Sequence, residues 1–124
     1  MVAPADQALY DAAAEVSDRA YAPYSRFHVG AAVRTRDGRV FVGVNVENAA
    51  YPLGICAEKS ALAAAVAGGC VAGDFEAIGI TASPCGGCRQ WLHELGLERV
   101  VYARAGGELV VATPAELLPD TFEL

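Results

Sequence analysis

Several features that mark particular protein classes are scarce in this sequence. Aromatic residues make up 8% of its 124 residues, and no apolar run approaches the roughly 20 residues that cross a bilayer. We therefore expect no membrane partner. Basic residues are also few, because 9 Lys and Arg face 15 Asp and Glu, for a formal net charge of −6. An acidic chain repels polyanions, so we expect no nucleic-acid partner.

The start of the sequence does not resemble a secretory leader, because Asp6 and Gln7 come early. This predicts a cytoplasmic protein with reduced cysteines, in which Cys-x-x-Cys indicates a metal or redox site and not a disulfide. Apolar residues make up 54% of the chain. We find no linker or repeat, and expect residues 1–124 to form a single domain with a real core.

The spacing of apolar residues predicts an α/β chain. An amphipathic helix is predicted over residues 5–21, with Asp6 on its polar face. Alternation over residues 27–33 and 40–46 predicts two half-buried strands, joined by an Asp37-Gly38 hairpin turn. Further helices are predicted over 56–68, 86–95 and from 113, and further strands over 77–82, 99–103 and 108–111. This order predicts a three-layer α/β/α fold with a central mixed five-stranded sheet.

Two cysteine motifs stand at the starts of predicted helices. Cys56 comes two residues before Glu58, and Cys85 and Cys88 are three residues apart. A thiolate at a helix N-terminus meets unpaired N–H groups and the positive end of the helix dipole. A catalytic zinc uses three protein ligands and keeps one position open. We predict that the three cysteines hold one zinc, with Glu58 as the proton carrier beside it.

Two other interpretations of the cysteines stay open at this point. Cys85 and Cys88 alone fit a redox pair. Cys70 could be the fourth ligand of a structural zinc, although a buried inert thiol is the expected fate of a cysteine after two glycines. Neither interpretation accounts for Glu58 beside Cys56.

The motifs together resemble the zinc-dependent deaminases, whose pattern is Cys-x-Glu followed by Pro-Cys-x-x-Cys. The wider sequence is similar to the small homotetrameric cytidine deaminases over about residues 21–122. The matching stretches are residues 27–32, 45–51, 56–58, 83–90 and 116–122. The resemblance implies a cytidine deaminase-like fold, one Zn²⁺ per chain and a homotetramer. It also implies hydrolytic deamination of cytidine and 2′-deoxycytidine to uridine and 2′-deoxyuridine plus ammonia, in pyrimidine salvage.

The resemblance implies roles for matched positions. Glu58 would take a proton from the attacking water and pass protons to the pyrimidine N3 and the departing amine. Substrate contacts are implied for Phe27 on the nucleoside, for Asn45 and Glu47 on the ribose hydroxyls, and for Ala57 and Ser83 on the base edge. A neighbouring subunit would contribute Ala49, Tyr51 and Phe122.

One departure from the family pattern concerns charge at the metal. The family often carries Arg after the catalytic Glu, where this chain has Lys59, which keeps the charge but loses the planar fork. We assign charge compensation at the metal to Lys59. Arg89 is either a second cation for this purpose or an exposed helix residue.

Alternatives to ribose binding and to cytidine are also open. Asn45 and Glu47 could be a solvated strand end; we favour ribose binding because we expect the valine side of their strand to face the core and see no cationic partner for Glu47. The second enzyme hypothesis is a deaminase of another small aminopyrimidine, such as a nucleoside antibiotic. A non-catalytic zinc-stabilised interaction module is the third hypothesis, and it requires Cys70 as a ligand.

Overall fold

A five-stranded sheet forms the centre of the fold in the computed structural model, which describes residues 2–124. The strands are β1 (Gly30–Thr35), β2 (Val40–Val44), β3 (Phe75–Ile80), β4 (Arg99–Ala103) and β5 (Leu109–Ala112). The helices are α1 (Pro4–Val16), α2 (Ala57–Ala67), α3 (Gly86–Glu94) and α4 (Pro114–Leu117), with 3-10 turns at Ser17–Arg19 and Tyr51–Leu53. The sheet order is β2-β1-β3-β4-β5, and only β3 and β4 pair in parallel. The predicted mixed sheet is confirmed.

Helices cover both faces of the sheet and give three layers, and the two faces differ in the size of their side chains. Leu9 and Ala13 of α1 pack on Ala32 and Ala77. A Cβ on Gly79 would lie 2.9 Å from the Tyr10 backbone, so small residues let α1 approach closely. The larger side chains on the other face join α2 and α3 in the main core, which includes Val33, Ile78, Leu62, Phe75, Leu92 and Val100.

The prediction that β1 is half-buried is wrong. Ala31, Ala32 and Val33 are consecutive and all are fully buried. The physical reason is that helices cover both faces of this central strand, so alternation of apolar residues does not mark an exposed side.

The expectation that the valine side of β2 faces the core is also wrong. Val40 and Val42 are 49% and 43% exposed on this edge strand. The packed side is that of Gly43, where a Cβ would lie only 2.2 Å from the Ala61 backbone nitrogen of α2. Because side chains alternate along an extended chain, Asn45 and Glu47 follow on the Gly43 side, toward the start of α2.

Asp6 is buried and ion-paired, and its predicted place on an exposed helix face is wrong. Its side chain accepts hydrogen bonds from Arg34 Nη2 at 3.0 Å and from Arg99 Nε at 3.1 Å. The hydrogen bond from Arg99 is the main reason why the pKa of Asp6 lies below its ordinary value, although burial opposes this shift. These contacts attach the first turn of α1 to β1 and β4.

We expect Asp6→Asn to lower the free energy of unfolding by about 2 kcal/mol at pH 7, because the hydrogen bonds from two guanidinium groups lose their charged acceptor. The lowered pKa of Asp6 means that its stabilisation is present above the ordinary carboxyl pKa of about 3.9 and disappears as the pH falls through the folded-state value. Urea unfolding at pH 7 and at pH 3 would check both points. Asp11→Asn, at an exposed carboxylate on the same helix, is the control; equal stabilities of the two variants at pH 7 would contradict the prediction.

The starts of α2, α3 and α4 agree with the sequence signals, whereas α1 ends at Val16 and not at the predicted residue 21, because Ser17–Arg19 form a 3-10 turn. Cys56 and Cys85 are the N-cap residues of α2 and α3. Gly69, at φ 101°, follows the end of α2, and Thr113 and Glu116 form the predicted capping box of α4. Within residues 2–124, none of the helices has the length and apolar character needed to cross a bilayer.

Candidate active site

Two helices begin at the same place, and their first turns bring three cysteines together. Cys56 precedes α2, Cys85 precedes α3, and Cys88 lies in the first turn of α3. The three Sγ atoms all lie within 4.8 Å of one another. The Sγ atoms of Cys56 and Cys85 are 3.7 Å apart.

This donor set fits a zinc ion. Tetrahedral Zn–S bonds of about 2.3 Å place two sulfur ligands about 3.8 Å apart, close to the Cys56–Cys85 separation. Three sulfurs also leave a fourth position for water or substrate. Within the described chain, Cys70 is not a member of this group; it is buried in the main hydrophobic core, as a structural thiol would be. A closed four-cysteine site is therefore not formed.

The three thiols differ in acidity when no metal neutralises them. Burial is the main cause that raises the pKa of Cys88 and of Cys56, and the nearby Glu58 adds to it. Burial also opposes ionisation of Cys85, but hydrogen bonds from the Cys88 backbone and the neighbouring thiols lower its pKa overall. Cys85 is thus the most acidic of the three thiols, and a metal ion that binds here would displace the protons of the cysteines.

Glu58 is a buried carboxyl beside the cysteine cluster. It lies in the first turn of α2 and is only 3% exposed. Burial raises its pKa above the ordinary value, although its own backbone N–H, Cys88 and Lys59 oppose the shift. A carboxyl with a raised pKa can both accept and donate a proton near neutral pH.

The two candidate cations occupy different places. Lys59 Nζ lies beside the first turn of α3, where a Cβ on Gly87 would be 3.6 Å from it. Arg89 is half-buried and donates to the carbonyl oxygens of Pro84 and Leu117, each at 2.9 Å. Arg89 therefore attaches the loop before α3 to α4, and the interpretation of Arg89 as an exposed helix residue is wrong.

A cleft of about 370 Å³ opens onto Cys56, Cys85 and Glu58. All the substrate-contact residues implied for the chain's own site line it, namely Phe27, Asn45, Glu47, Ala57 and Ser83. The wall is completed by residues that sequence reasoning did not single out, including Val29, Asn48, Ile55 and Ala82.

The three residues assigned to a neighbouring subunit's site lie in different places relative to the cleft of their own chain. Tyr51 lines the cleft of its own chain. Ala49 and Phe122 are not among the lining residues. Phe122 is 68% exposed, and its carbonyl oxygen accepts from Gln90 Nε2 at 3.0 Å on the outer side of α3. His93 also lies there, where it pairs with Glu123 and not with the cysteines.

Sequence reasoning missed how the two polar residues of the cleft are held. The carboxylate of Glu47 accepts from the backbone N–H groups of Tyr24 and Ser25, at 3.0 and 3.1 Å, and from the Ser25 hydroxyl. These donors explain why Glu47 needs no cationic partner, and they lower its pKa, the Ser25 hydroxyl most of all. Residues 22 and 23 positions apart make these contacts, and no periodic pattern signals them.

Comparison with known families identifies the chain. Residues 3–104 match the cytidine and deoxycytidylate deaminase zinc-binding region. The chain belongs to this deaminase family. Because the matched family region binds zinc and the three cysteines converge, the predicted site for one Zn²⁺ per chain is confirmed.

Individual deaminases are similar along most of the chain. The cytidine deaminase of Halalkalibacterium halodurans is 41% identical, over 94% of this chain and 92% of that protein. A crystal structure of cytidine deaminase from Burkholderia pseudomallei superposes with a TM-score of 0.88 at 46% identity, covering 94% of this chain and 98% of that one. The structure of the Mycobacterium tuberculosis enzyme gives a TM-score of 0.82 at 37% identity, covering 95% and 97%. The predicted cytidine deaminase-like fold is confirmed.

Proposed function

We propose that this chain catalyses the hydrolytic deamination of cytidine and 2′-deoxycytidine to the corresponding uridines and ammonia. The observation that carries the proposal is a buried carboxyl, Glu58, beside three converging cysteines, where a cleft of about 370 Å³ reaches Glu58 and two of the cysteines. Its support from relatives is that proteins about 41% identical are named cytidine deaminase.

Proton transfer in this reaction is assigned to Glu58. Cys56, Cys85 and Cys88 hold the zinc, which when bound supplies the Lewis acidity that brings the pKa of a water toward 7. The Glu58 carboxylate accepts the proton of the water that attacks C4. As a carboxylic acid it donates that proton to N3. It then accepts the second proton, from the hydroxyl now bonded to C4, and donates it to the amine, so that C4=O forms, the C4–N bond breaks and ammonia leaves. Burial, which raises the pKa of Glu58, suits it to both steps.

We assign sugar recognition to the hydrogen-bonding positions of Glu47 and Asn45 that contacts within the protein leave free. A carboxylate has about four acceptor positions. Three of these positions on Glu47 are already occupied by donors, which leaves about one. Asn45 accepts from Val29 N–H at 2.8 Å and donates to the Phe27 carbonyl at 2.9 Å, which leaves one amide N–H and one acceptor position on Oδ1. The free positions of Glu47 and Asn45 are enough to bind one sugar hydroxyl that both nucleosides carry, so we infer that cytidine and 2′-deoxycytidine both fit.

The charge of the cleft favours a nucleoside over its 5′-phosphate. The residues that line the cleft, taken from the described part of the chain, include Glu47 and Glu58 but no Lys, Arg or His. A phosphate placed there would lack a cationic partner and would meet two carboxyl groups.

We expect kcat/KM for cytidine and 2′-deoxycytidine to agree within about tenfold, and that for cytidine 5′-monophosphate to be at least a hundredfold lower, because each tenfold step needs only 1.4 kcal/mol. Steady-state assays with the zinc-loaded protein, following the loss of ultraviolet absorbance on deamination, would test this. Turnover of an aminopyrimidine antibiotic but not of cytidine would contradict the proposed substrate.

We also propose that residues 1–124 form a single deaminase domain that works as a homotetramer in the cytoplasm, in pyrimidine salvage. In this proposal Ala49, Tyr51 and Phe122 lie at subunit contacts and complete a neighbour's cleft. The exposure of Phe122, and its position outside its own cleft, support this arrangement. Light scattering during size-exclusion chromatography would test it, since a monomeric mass in the active preparation would contradict the tetramer.

A further inference from the structure

We propose that Ser25 is a positioning residue that orients Glu47 for the sugar of the substrate. The inference rests on the proposed function, because it assigns Glu47 to a sugar hydroxyl. Ser25 lies outside the cleft lining, in the loop between Ala22 and Val29, and is 22 residues from Glu47 in sequence.

The Ser25 hydroxyl joins two residues of the cleft wall. It donates to Oε2 of Glu47 and accepts from the backbone N–H of Phe27 at 3.0 Å. The other carboxylate oxygen, Oε1, is held by the backbone N–H groups of Tyr24 and Ser25. Both oxygens of Glu47 are thus attached to one loop. Among residues 2–124, only the Ser25 side chain donates to Oε2, whereas Oε1 has two donors, so Oε2 is the oxygen with a free acceptor position.

The loop itself is attached to the strand that carries Glu47. Asn45 bonds Phe27 and Val29 through its side chain. Arg26, between Ser25 and Phe27, has φ 60°, a left-handed conformation that is unfavourable for a residue with a side chain. The hydrogen bond from Phe27 N–H to the Ser25 hydroxyl spans this residue. Strained backbone held by surrounding contacts is typical of functional sites.

Because Ser25 is exposed, a role in positioning Glu47 can be distinguished experimentally from a role in stabilising the fold. Ser25 is exposed, so loss of its hydroxyl leaves no buried group without a partner. Without this donor, Oε2 of Glu47 can rotate and bind water. The loss should therefore appear only with substrates that offer a hydroxyl to Glu47.

The experiment compares Ser25→Ala with wild type on two substrates. We expect kcat/KM for cytidine to fall about tenfold, mainly through KM, because the affected bond involves a charged acceptor. For 2′,3′-dideoxycytidine, which lacks the 2′- and 3′-hydroxyls, we expect less than a twofold change. Ser25→Thr, which keeps the hydroxyl, should restore most of the cytidine activity. Ser17→Ala, which removes a hydroxyl bonded to the Ala14 carbonyl at the end of α1, is the matched control.

A double-mutant cycle of Ser25→Ala with Glu47→Gln keeps the test decisive if Ser25→Ala weakens the fold. If Ser25 acts through Glu47, its replacement should have less than a twofold effect on cytidine in the Glu47→Gln background. Equal losses on both substrates, no loss on cytidine, or full additivity in the cycle would overturn the positioning role while cytidine turnover by the wild type stands. Absence of cytidine turnover by the zinc-loaded wild type would instead overturn the proposed function, and the role of Ser25 with it.

Discussion

Glu58→Gln should reduce kcat for cytidine by a factor between about 10² and 10⁴ while the protein keeps its zinc. Glutamine matches the shape of glutamate but cannot accept a proton from water or donate one to the leaving amine. Zinc should stay because the three converging donors are sulfur atoms and Glu58 is not one of them. Steady-state kinetics and metal analysis on the same preparation would measure both quantities.

The control for this prediction is Glu94→Gln, which makes the same chemical change at an exposed position near the end of α3. Its kcat should stay within about twofold of wild type, since surface substitutions away from a site have small effects. A Glu58→Gln variant with wild-type turnover would remove Glu58 from the mechanism. Loss of zinc from that variant would show that Glu58 supports the metal site, and the fall in kcat would then not measure proton transfer.

Cys88→Ser should abolish zinc binding, from about one ion per chain to near zero, and with it all turnover. Cys88 supplies one of three sulfurs and is fully buried, so a serine hydroxyl there is a poor ligand in a confined place. Because bound metal stabilises only the folded state, the thermal unfolding temperature should fall as well. Metal analysis and thermal unfolding with and without added zinc would check this.

Cys70→Ser is the matched comparison, because it changes the other buried cysteine. We expect it to keep a full complement of zinc and its activity, and to lose about 1–2 kcal/mol of stability from burying a hydroxyl in an apolar core. If Cys70→Ser lost zinc, the metal site would use a fourth cysteine. That result would favour the non-catalytic zinc module over the deaminase.

Local signals in the sequence predicted much of the fold. The helix starts at Cys56, Cys85 and Thr113 depend on the few residues around each start, including a capping box at Thr113, and all three are confirmed. The prediction of a mixed sheet with five strands followed from the order of helices and strands along the chain. Errors arose where burial depends on distant elements: Val40 and Val42 are exposed at a sheet edge, while β1 is covered on both faces.

In the candidate site, too, residues with local signals were predicted and contacts between distant parts of the chain were missed. The three cysteines and Glu58 could be recognised because each lies beside a helix start, where the chemistry is local. The burial of Asp6 could not, because its partners lie on β1 and β4, 28 and 93 positions away. The contacts of Ser25 with Glu47 were missed for the same reason, since a serine in a turn carries no sign of its partner across the cleft.

The most direct test of this account measures ammonia released from cytidine by the purified protein, together with zinc content per chain. The account predicts one ammonia for each uridine formed, with about one zinc per chain, and loss of the activity when a chelator removes the metal. A protein with about one zinc per chain that releases no ammonia from cytidine or 2′-deoxycytidine would contradict it.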